Sequence, residues 1–173
     1  MTDIHNGLKN IEILLLDVDG VLTDGSIIYN DNASETKVFN AKDGLGIRLL
    51  LDAGIQVGII TGRHSKALRH RCRNLGIDLI FEAVSDKTDA LKDILKRTKK
   101  TVEQTAFIGD DLPDLKLMKK VGFSIAVADA HTLLREHAGM VTSAKGGEGA
   151  VREACEAILK AKGLWDKILE RFL

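Results

Sequence analysis

The sequence predicts an α/β protein with a Rossmann-like, doubly wound and mostly parallel sheet flanked by helices. Apolar runs of strand length alternate with stretches of helical period. The 173 residues, 45% hydrophobic and 29% charged, suit one globular domain over 1–173 with a single core. After the first strand there is room for a small β-hairpin insert at about 25–40, but the spacing leaves no room for a large cap domain.

Strands and helices alternate in the first half of the chain. Aliphatic residues at 11–16 predict a buried first strand, and those at 57–60 predict another. Between them, the polar turn 30–32 separates two short apolar segments, which indicates a hairpin. Gly54 and Gly76 are typical helix ends. The predicted elements are strands 11–16, 26–29, 37–39, 57–60 and 79–81, and helices 44–53, 65–75 and 87–98.

The second half continues this alternation, and Gly122 again marks a helix end. Three glycines in the segment 144–149 impose little restriction on the backbone. We therefore expect a flexible C-terminal tail from about residue 144. The remaining predicted elements are strands 105–108, 124–127 and 140–141, and helices 112–120, 131–137 and 151–160.

Charge and composition argue against nucleic acid and membrane partners. The 25 basic residues balance 25 acidic ones, so no net positive field attracts polyanions. No apolar run reaches the ~18 residues of a membrane-spanning helix, and residues 1–10 lack a secretory apolar segment. Cys72 and Cys155 lie far apart and form no CxxC motif. They are typical of reduced thiols in a cytoplasmic protein.

Reactive side chains follow four of the predicted strands. In a doubly wound sheet, ligands bind beyond the carboxyl ends of the strands, so these residues are expected to meet at one edge. The set contains six carboxylates, one hydroxyl, one ammonium and one guanidinium. Its members lie in the segments Asp17–Gly20, Thr61–Arg63, Asp86–Lys87 and Gly109–Asp114.

Carboxylates gathered at one point repel each other unless a cation lies among them. Oxygen ligands without histidine or cysteine suit Mg²⁺. A phosphate bound to that ion would lie near Thr61 and Lys87, and the Asp17 carboxylate could attack phosphorus. Asp19 could protonate the leaving oxygen and then activate water. Taken singly, a DxD pair is often a surface turn, and a group of aspartates often caps a helix. Their combined order at strand ends favours the functional interpretation.

Four motifs carry a resemblance to a known family. They are DVDGVLTDG at 17–25, ITGR at 60–63, Lys87, and GDDLPD at 109–114. From about residue 13 to 153 the sequence resembles the haloacid dehalogenase superfamily of phosphohydrolases. The resemblance implies a Mg²⁺-dependent phosphatase that acts through an aspartyl phosphate.

The resemblance also implies roles around the metal. Asp17 would be the nucleophile and a metal ligand. Asp19 would be the general acid and base, and would bind the metal through its backbone carbonyl. Asp110 would be the third protein ligand, and Asp111 and Asp114 would support the metal site from a second layer.

For the substrate, the resemblance implies a phosphoryl site and a carboxylate site. Thr61, Gly62 and Lys87 would hold the phosphoryl group. Arg63 and Arg71 are candidates for a substrate carboxylate, because a planar guanidinium can bind both of its oxygens.

Within the superfamily the chain resembles the 3-deoxy-D-manno-octulosonate 8-phosphate (KDO 8-phosphate) phosphatases. The residues that carry this are FNAKDG at 39–44, Arg71–Cys72, AVADAH at 126–131 and GGEGAVRE at 146–153. This resemblance implies a small sugar-acid phosphate substrate, a place in lipopolysaccharide sugar synthesis, and a homotetramer whose hairpins pair. Glu148 is more typical of relatives that act on nonulosonate 9-phosphates, whereas Arg63 favours KDO 8-phosphate.

Three alternatives stay open at this point. A signalling receiver domain also combines aspartates, Thr and Lys around Mg²⁺, but its acidic pair precedes the phosphorylated residue on an earlier strand. An inactive relative could act only in oligomerisation, although Asp17, Asp19, Lys87 and Asp110 are all present. The third alternative is a phosphatase for another sugar-acid phosphate.

Overall fold

Six parallel strands form the central sheet. The computed structural model describes residues 2–173, with side chains from Ile4 onward. The spatial order of the strands is β5-β4-β1-β6-β7-β8. β1 is completely buried, as expected for an aliphatic strand covered by helices on both faces. The strands of this sheet are β1 (Ile13–Leu16), β4 (Gln56–Ile60), β5 (Leu79–Phe81), β6 (Thr105–Gly109), β7 (Phe123–Ala126) and β8 (Met140–Val141).

The helices form two groups around this sheet. α1, α2, α7 and α8 are linked by mutual contacts, and α4, α5 and α6 are linked in the same way. The predicted Rossmann-like fold is therefore confirmed. Within residues 2–173 no helix is long and apolar enough to cross a bilayer. The helices are α1 (Thr2–Lys9), α2 (Ala41–Asp52), α3 (Lys66–Leu75), α4 (Lys87–Thr98), α5 (Leu115–Met118), α6 (Thr132–His137), α7 (Ala150–Ala161) and α8 (Trp165–Leu169).

The switch in winding direction places the site. From β1 the chain moves outward through β4 and β5, and from β6 it moves the other way through β7 and β8. Leu16 is level with both Ile59 and Ile108, so the three central strands end together. The residues that follow them converge at the crevice where ligands bind in such sheets.

The hairpin insert is real, but the prediction of its second strand was wrong. β2 (Ile28–Tyr29) pairs with β3 (Glu35–Thr36), not with 37–39. The Asn30 N–H donates to the Ser34 carbonyl at 2.9 Å and closes the turn early, which sets Tyr29 opposite Glu35. No cap domain lies between β1 and α4 in the described chain, where the hairpin, α2, β4, α3 and β5 account for the elements.

Two further predictions need correction. The helix predicted at 112–120 is a 3₁₀ turn, Leu112–Asp114, followed by the short α5 that ends at Met118. The Asp114 N–H donates to the carbonyl of Asp111, three residues earlier, at 2.8 Å, which is the hydrogen bond of a 3₁₀ turn. α1 was not predicted, because its sequence is largely polar. Its residue Leu8 is nevertheless 1% exposed and anchors the helix in the core.

The helix predicted at 151–160 is α7, and most of its inward residues are fully buried. The predicted tail from about residue 144 thus comprises the loop 144–149 and the helices α7 and α8, and its flexibility stays a prediction. That loop contacts the chain just after β1. The Gly147 N–H donates to the Val21 carbonyl at 2.9 Å, and the Asn40 side chain donates to the Gly147 carbonyl at 3.1 Å.

Candidate active site

A tight loop follows β1 and presents two aspartates. Val18 is fully buried, and its carbonyl accepts hydrogen bonds from the N–H groups of Val21 and Leu22 at 3.2 and 2.9 Å. With Val18 anchored in the core, its neighbours Asp17 and Asp19 are partly exposed and line one cavity.

Three carboxylates meet beyond β1 and β6. Asp17, Asp110 and Asp114 each place one carboxylate oxygen within 4.8 Å of the others, and we call these three residues the acidic cluster. A Cβ at Gly20, whose φ is +89°, would lie 2.0 Å from Oδ2 of Asp110. A Cβ at Gly109 would lie 2.5 Å from Oδ2 of Asp114. Glycine at both positions is what leaves room for the cluster.

Lys87 brings a positive charge to the acidic cluster. It is the first residue of α4, which the Asp86 side chain caps by accepting the Thr88 N–H. The Lys87 Nζ lies 2.8 Å from Oδ1 of Asp17 and 2.5 Å from Oδ1 of Asp114. Burial acts to lower the pKa of Lys87, but attraction to the two carboxylates outweighs burial and raises it. Lys87 therefore stays an ammonium ion.

Asp114 organises its neighbours. Its side chain is 1% exposed. Oδ2 accepts the Asp110 N–H at 3.0 Å, while Oδ1 binds Lys87. One carboxylate therefore fixes both the backbone that presents Asp110 and the ammonium that contacts Asp17.

The acidic cluster carries excess negative charge. When all three carboxylates are ionised, the single ammonium of Lys87 leaves two negative charges uncompensated. Burial and the Asp114 charge raise the pKa of Asp17 to about 6. Burial and the charges of Asp17 and Asp114 raise the pKa of Asp110 to about 8. Oxygen ligands that together carry this excess of negative charge fit a divalent hard cation such as Mg²⁺.

A cavity of about 330 Å³ opens over Asp17 and Lys87. Thr61, which follows β4 and is 2% exposed, lines it together with Gly62. The Thr61 Oγ1 accepts the Arg63 N–H at 3.3 Å, and this bond shapes the loop. The cavity can hold a small group next to both the Asp17 carboxylate and the Lys87 ammonium.

A second set of charges joins Asp19 and Arg63, which line this cavity, to Glu35 and Lys37 of the hairpin. We call Asp19, Glu35, Lys37 and Arg63 the hairpin ion cluster. Lys37 binds Asp19, and its Nζ lies 3.0 Å from Oε1 of Glu35. The Arg63 guanidinium lies 3.3 Å from Glu35, 3.6 Å from Asp19 and 2.9 Å from the Tyr29 hydroxyl. Two carboxylates and two cations make this cluster neutral.

Comparison with known proteins agrees with this geometry. A family model of haloacid dehalogenase-like hydrolases matches residues 77–153. The chain is 47% identical over 165 residues to the 3-deoxy-D-manno-octulosonate 8-phosphate phosphatase of Escherichia coli (strain B / BL21-DE3), covering 95% of this chain and 88% of the relative. The chain belongs to the haloacid dehalogenase-like hydrolases.

Two solved structures extend the comparison to this hydrolase family. The phosphatase of the same name from Moraxella catarrhalis, in complex with a magnesium ion, a phosphate ion and KDO, has a TM-score of 0.98 and 42% identity, with 100% of this chain and 99% of that chain covered. The cobalt-bound deoxy-D-mannose-octulosonate 8-phosphate phosphatase from Haemophilus influenzae has a TM-score of 0.89 and 45% identity, with 92% and 93% covered. The predicted family and the predicted enzyme class, a phosphatase, are confirmed.

The structure brings together most of the residues predicted to surround the metal in this hydrolase. Asp17 and Asp110 are close enough to share an ion. The Asp19 carboxylate instead turns toward Lys37, which leaves its backbone as the part predicted to bind metal. Asp114 lies behind Asp110, while Asp111 is exposed and caps the 3₁₀ turn by accepting the Leu112 N–H at 2.8 Å.

The predicted substrate residues divide into two groups. Thr61, Gly62, Arg63 and Lys87 all line the cavity. Arg71 does not line it. Its guanidinium lies 5.9 Å from the centre of the Phe39 ring and donates to the Asn40 carbonyl at 3.1 Å. In this chain Arg71 holds the start of α2, and the role in substrate binding predicted for it stays a prediction.

Sequence reasoning missed Glu35, Lys37 and Tyr29. A signal was present, because residues 35 and 37 are two apart in an extended segment and so share one face. The predicted hairpin register placed Lys37 inside the strand 37–39, in which only the apolar residues were considered. The pairing of Lys37 with Glu35 was therefore missed. In the observed register Tyr29 and Glu35 are directly opposed, and both contact Arg63.

Proposed function

We propose that this protein hydrolyses the phosphate ester of KDO 8-phosphate and uses Mg²⁺ as its cofactor. The observation that carries the proposal is the excess negative charge of the acidic cluster. This cluster lies next to Lys87 and Thr61, at a cavity of small-molecule size. The substrate is inferred from the names of the relatives and from the KDO and phosphate in the Moraxella catarrhalis enzyme.

In the first step, a carboxylate oxygen of Asp17 forms a bond to phosphorus as the bond between phosphorus and the sugar oxygen breaks. Lys87 and Thr61 bind the phosphoryl oxygens, and Lys87 also orients Asp17 through its 2.8 Å contact. Asp19 gives its proton to the leaving sugar oxygen, which departs as an alcohol. Bound Mg²⁺ offsets the repulsion between the Asp17 carboxylate and the phosphate.

In the second step, water attacks the phosphorus of the aspartyl phosphate. Asp19, now a carboxylate, accepts a proton from that water, and the bond between phosphorus and Asp17 breaks. Inorganic phosphate leaves, and both aspartates return to their starting states. The phosphate ester and one water are thereby converted to an alcohol and phosphate.

Arg63 is the candidate for binding the substrate carboxylate. Its side chain is 42% exposed at the cavity and is held in place by Tyr29 and Glu35. A guanidinium fixed on one side can still present free N–H groups to a carboxylate on the other. Glu148, the residue type more typical of enzymes that act on nonulosonate 9-phosphates, is exposed on the loop 144–149.

We also propose a cytoplasmic homotetramer that acts in lipopolysaccharide sugar synthesis. The hairpin exposes Ile27, Ile28, Tyr29 and Val38 to solvent, which is more apolar surface than a two-stranded hairpin can keep stable alone. Both cysteines are free and buried, which suits a reducing compartment. Sedimentation velocity tests the assembly, and a monomer at micromolar concentration would contradict it.

A phosphate-release screen tests the function. The purified protein is assayed with KDO 8-phosphate, a nonulosonate 9-phosphate, and sugar phosphates that lack the carboxylate, each with Mg²⁺ and with EDTA. We expect the highest kcat/KM on KDO 8-phosphate, loss of activity in EDTA, and recovery when Mg²⁺ is added in excess.

The outcomes separate the parts of the proposal. A preference for the nonulosonate ester would replace the substrate but keep the chemistry. Equal rates on esters with and without a carboxylate would remove the proposed sugar-acid specificity. Undiminished activity in EDTA would contradict the metal site. The Asp17→Asn variant is the control for contaminating phosphatases and should release no phosphate.

A further inference from the structure

The hairpin contributes a buried cation that the proposed chemistry has not yet used. The side chain of Lys37 is 2% exposed although it follows a short exposed strand. An ammonium ion is buried only when it is paired with anions, and Lys37 is paired with both Asp19 and Glu35. Its ion pairs join the hairpin to the loop after β1, 18 residues away in sequence.

Both oxygens of Asp19 face cations of the hairpin ion cluster. Oδ1 binds Lys37, and Oδ2 lies 3.6 Å from Nε of Arg63. Asp17, two residues earlier, points instead to Lys87 and the acidic cluster. The two carboxylates of one short loop are thus drawn to opposite sides, and Lys37 is the closest partner that Asp19 has among the described residues.

Glu35 completes this arrangement. Its pKa would be raised by burial, but the hydrogen bond and charge of Lys37, together with Arg63, outweigh burial and lower it. Glu35 therefore stays ionised, and its Oε1 binds the same Nζ of Lys37 that binds Asp19. Because Glu35 holds the Lys37 Nζ, Lys37 can fix the direction of the Asp19 carboxylate that it also contacts.

We propose that Lys37 is a positioning residue that orients the Asp19 carboxylate for proton transfer to the leaving oxygen. The inference rests on the proposed function and deepens it. In the transfer step Lys37 binds Oδ1 of Asp19, which leaves Oδ2 to carry the proton that moves to the ester oxygen as the bond between that oxygen and phosphorus breaks. A misplaced Asp19 should slow this step most when the leaving group departs only with a proton.

Two aryl esters isolate this effect from sugar recognition. Phenyl phosphate has a poor leaving group that needs a proton, whereas p-nitrophenolate leaves readily as an anion. The kcat/KM of each ester reports the transfer step. In Lys37→Met we expect kcat/KM for phenyl phosphate to fall about 10- to 100-fold, as part of the ~10²–10⁴-fold that a general acid contributes. For p-nitrophenyl phosphate the fall should be about 3-fold or less, because little of that general-acid contribution is needed. Lys37→Arg should restore most of the loss.

Lys162→Met is the matched control. Lys162 is also largely enclosed, with its Nζ bound to Glu12 and to the Lys9 and Ile11 carbonyls, far from the cavity in the fold. Its loss should lower the melting temperature and leave the ratio of the two kcat/KM values unchanged. If Lys37→Met does not fold, Lys37→Gln is measured instead.

The possible failures are distinguishable. A wild-type protein that hydrolyses neither ester nor any sugar phosphate would overturn the proposed function. An active wild type whose two kcat/KM values fall by the same factor in the Lys37 variant, or do not fall, would overturn only the role of Lys37.

Discussion

The acidic cluster and the hairpin ion cluster border one cavity, yet they differ in charge balance. The first has three carboxylates and one ammonium, and the second has two carboxylates and two cations. The pKa values respond in opposite directions. Burial and mutual repulsion raise the pKa of Asp17 and Asp110, while Lys37 and Arg63 outweigh burial at Glu35 and lower its pKa. One cluster therefore needs a cation from solution, and the other is complete.

This difference explains how one loop can supply two kinds of carboxylate. Asp17 and Asp19 are separated by a single buried residue, Val18, but belong to different clusters. A carboxylate in a cluster with excess negative charge is poised to bind metal and to approach a phosphate beside it. A carboxyl group whose Oδ1 is bound by Lys37 has a fixed direction and leaves Oδ2 to carry the transferred proton.

Replacing Asp17 or Asp19 by asparagine is the most direct test of the difference between the two clusters. Asp17→Asn should lower kcat by a factor on the order of 10⁴ or more, because the nucleophile is lost. Asp19→Asn should lower kcat by ~10²–10⁴-fold, the range that a general acid contributes. Their stabilities in EDTA should differ in sign. Asp17→Asn removes one surplus negative charge, so its melting temperature should rise by about 2 °C or more. Asp19→Asn leaves Lys37 and Arg63 short of a partner, so its melting temperature should fall by roughly 2–6 °C.

Calorimetry of the two variants and the wild type in EDTA makes this measurement. Changes of the same sign in both variants would show that the two clusters do not differ in charge balance. Near-normal turnover by Asp17→Asn would rule out the aspartyl phosphate mechanism.

Arg63 offers a smaller test, directed at the hairpin ion cluster. A hydrogen-bonded charged partner is worth roughly 1.5–3 kcal/mol, so Arg63→Ala should lower kcat/KM for a sugar-acid phosphate by roughly 10- to 100-fold. The loss on p-nitrophenyl phosphate, which has no carboxylate, should be much smaller. Tyr29→Phe keeps the guanidinium and removes only its 2.9 Å hydrogen bond to the tyrosine hydroxyl. This variant should lower kcat/KM for the sugar-acid phosphate by roughly 2- to 10-fold. Equal losses on both substrates in Arg63→Ala would remove its proposed role.

Sequence reasoning located the acidic cluster because its signals are local. Asp17, Asp110 and Lys87 each directly follow a buried strand or open a helix, and the parallel sheet brings such positions together without further information. The glycines were visible too, but the need for Gly20 and Gly109 depends on where the Asp110 and Asp114 carboxylates lie in space.

The hairpin ion cluster escaped prediction for the opposite reason. The Lys37 contact with Asp19 depends on strand register, and in an isolated two-stranded hairpin register is set by turn hydrogen bonds such as Asn30 to Ser34. Arg71 shows the same limit. The resemblance made it a candidate for the substrate carboxylate, which stays a prediction, while its contacts with Phe39 and the Asn40 carbonyl depend on packing that the sequence does not display.

The smallest expected effect is the change in the stability of the protein as the acidic cluster titrates with pH. The folded-state pKa values of Asp17 and Asp110, about 6 and about 8, lie above the ordinary value of 3.8, so the folded protein retains protons that the unfolded chain has lost. Their contribution to stability is complete at low pH and disappears as the pH rises through about 6 and then about 8. In EDTA the melting temperature should therefore decline over this range.

Saturating Mg²⁺ should flatten the decline, because the ion binds the ionised cluster in the folded state only. Asp110→Asn should remove the upper part of the decline, and a melting temperature in EDTA that climbs from pH 6 to 8 would show that the cluster is already compensated without a metal.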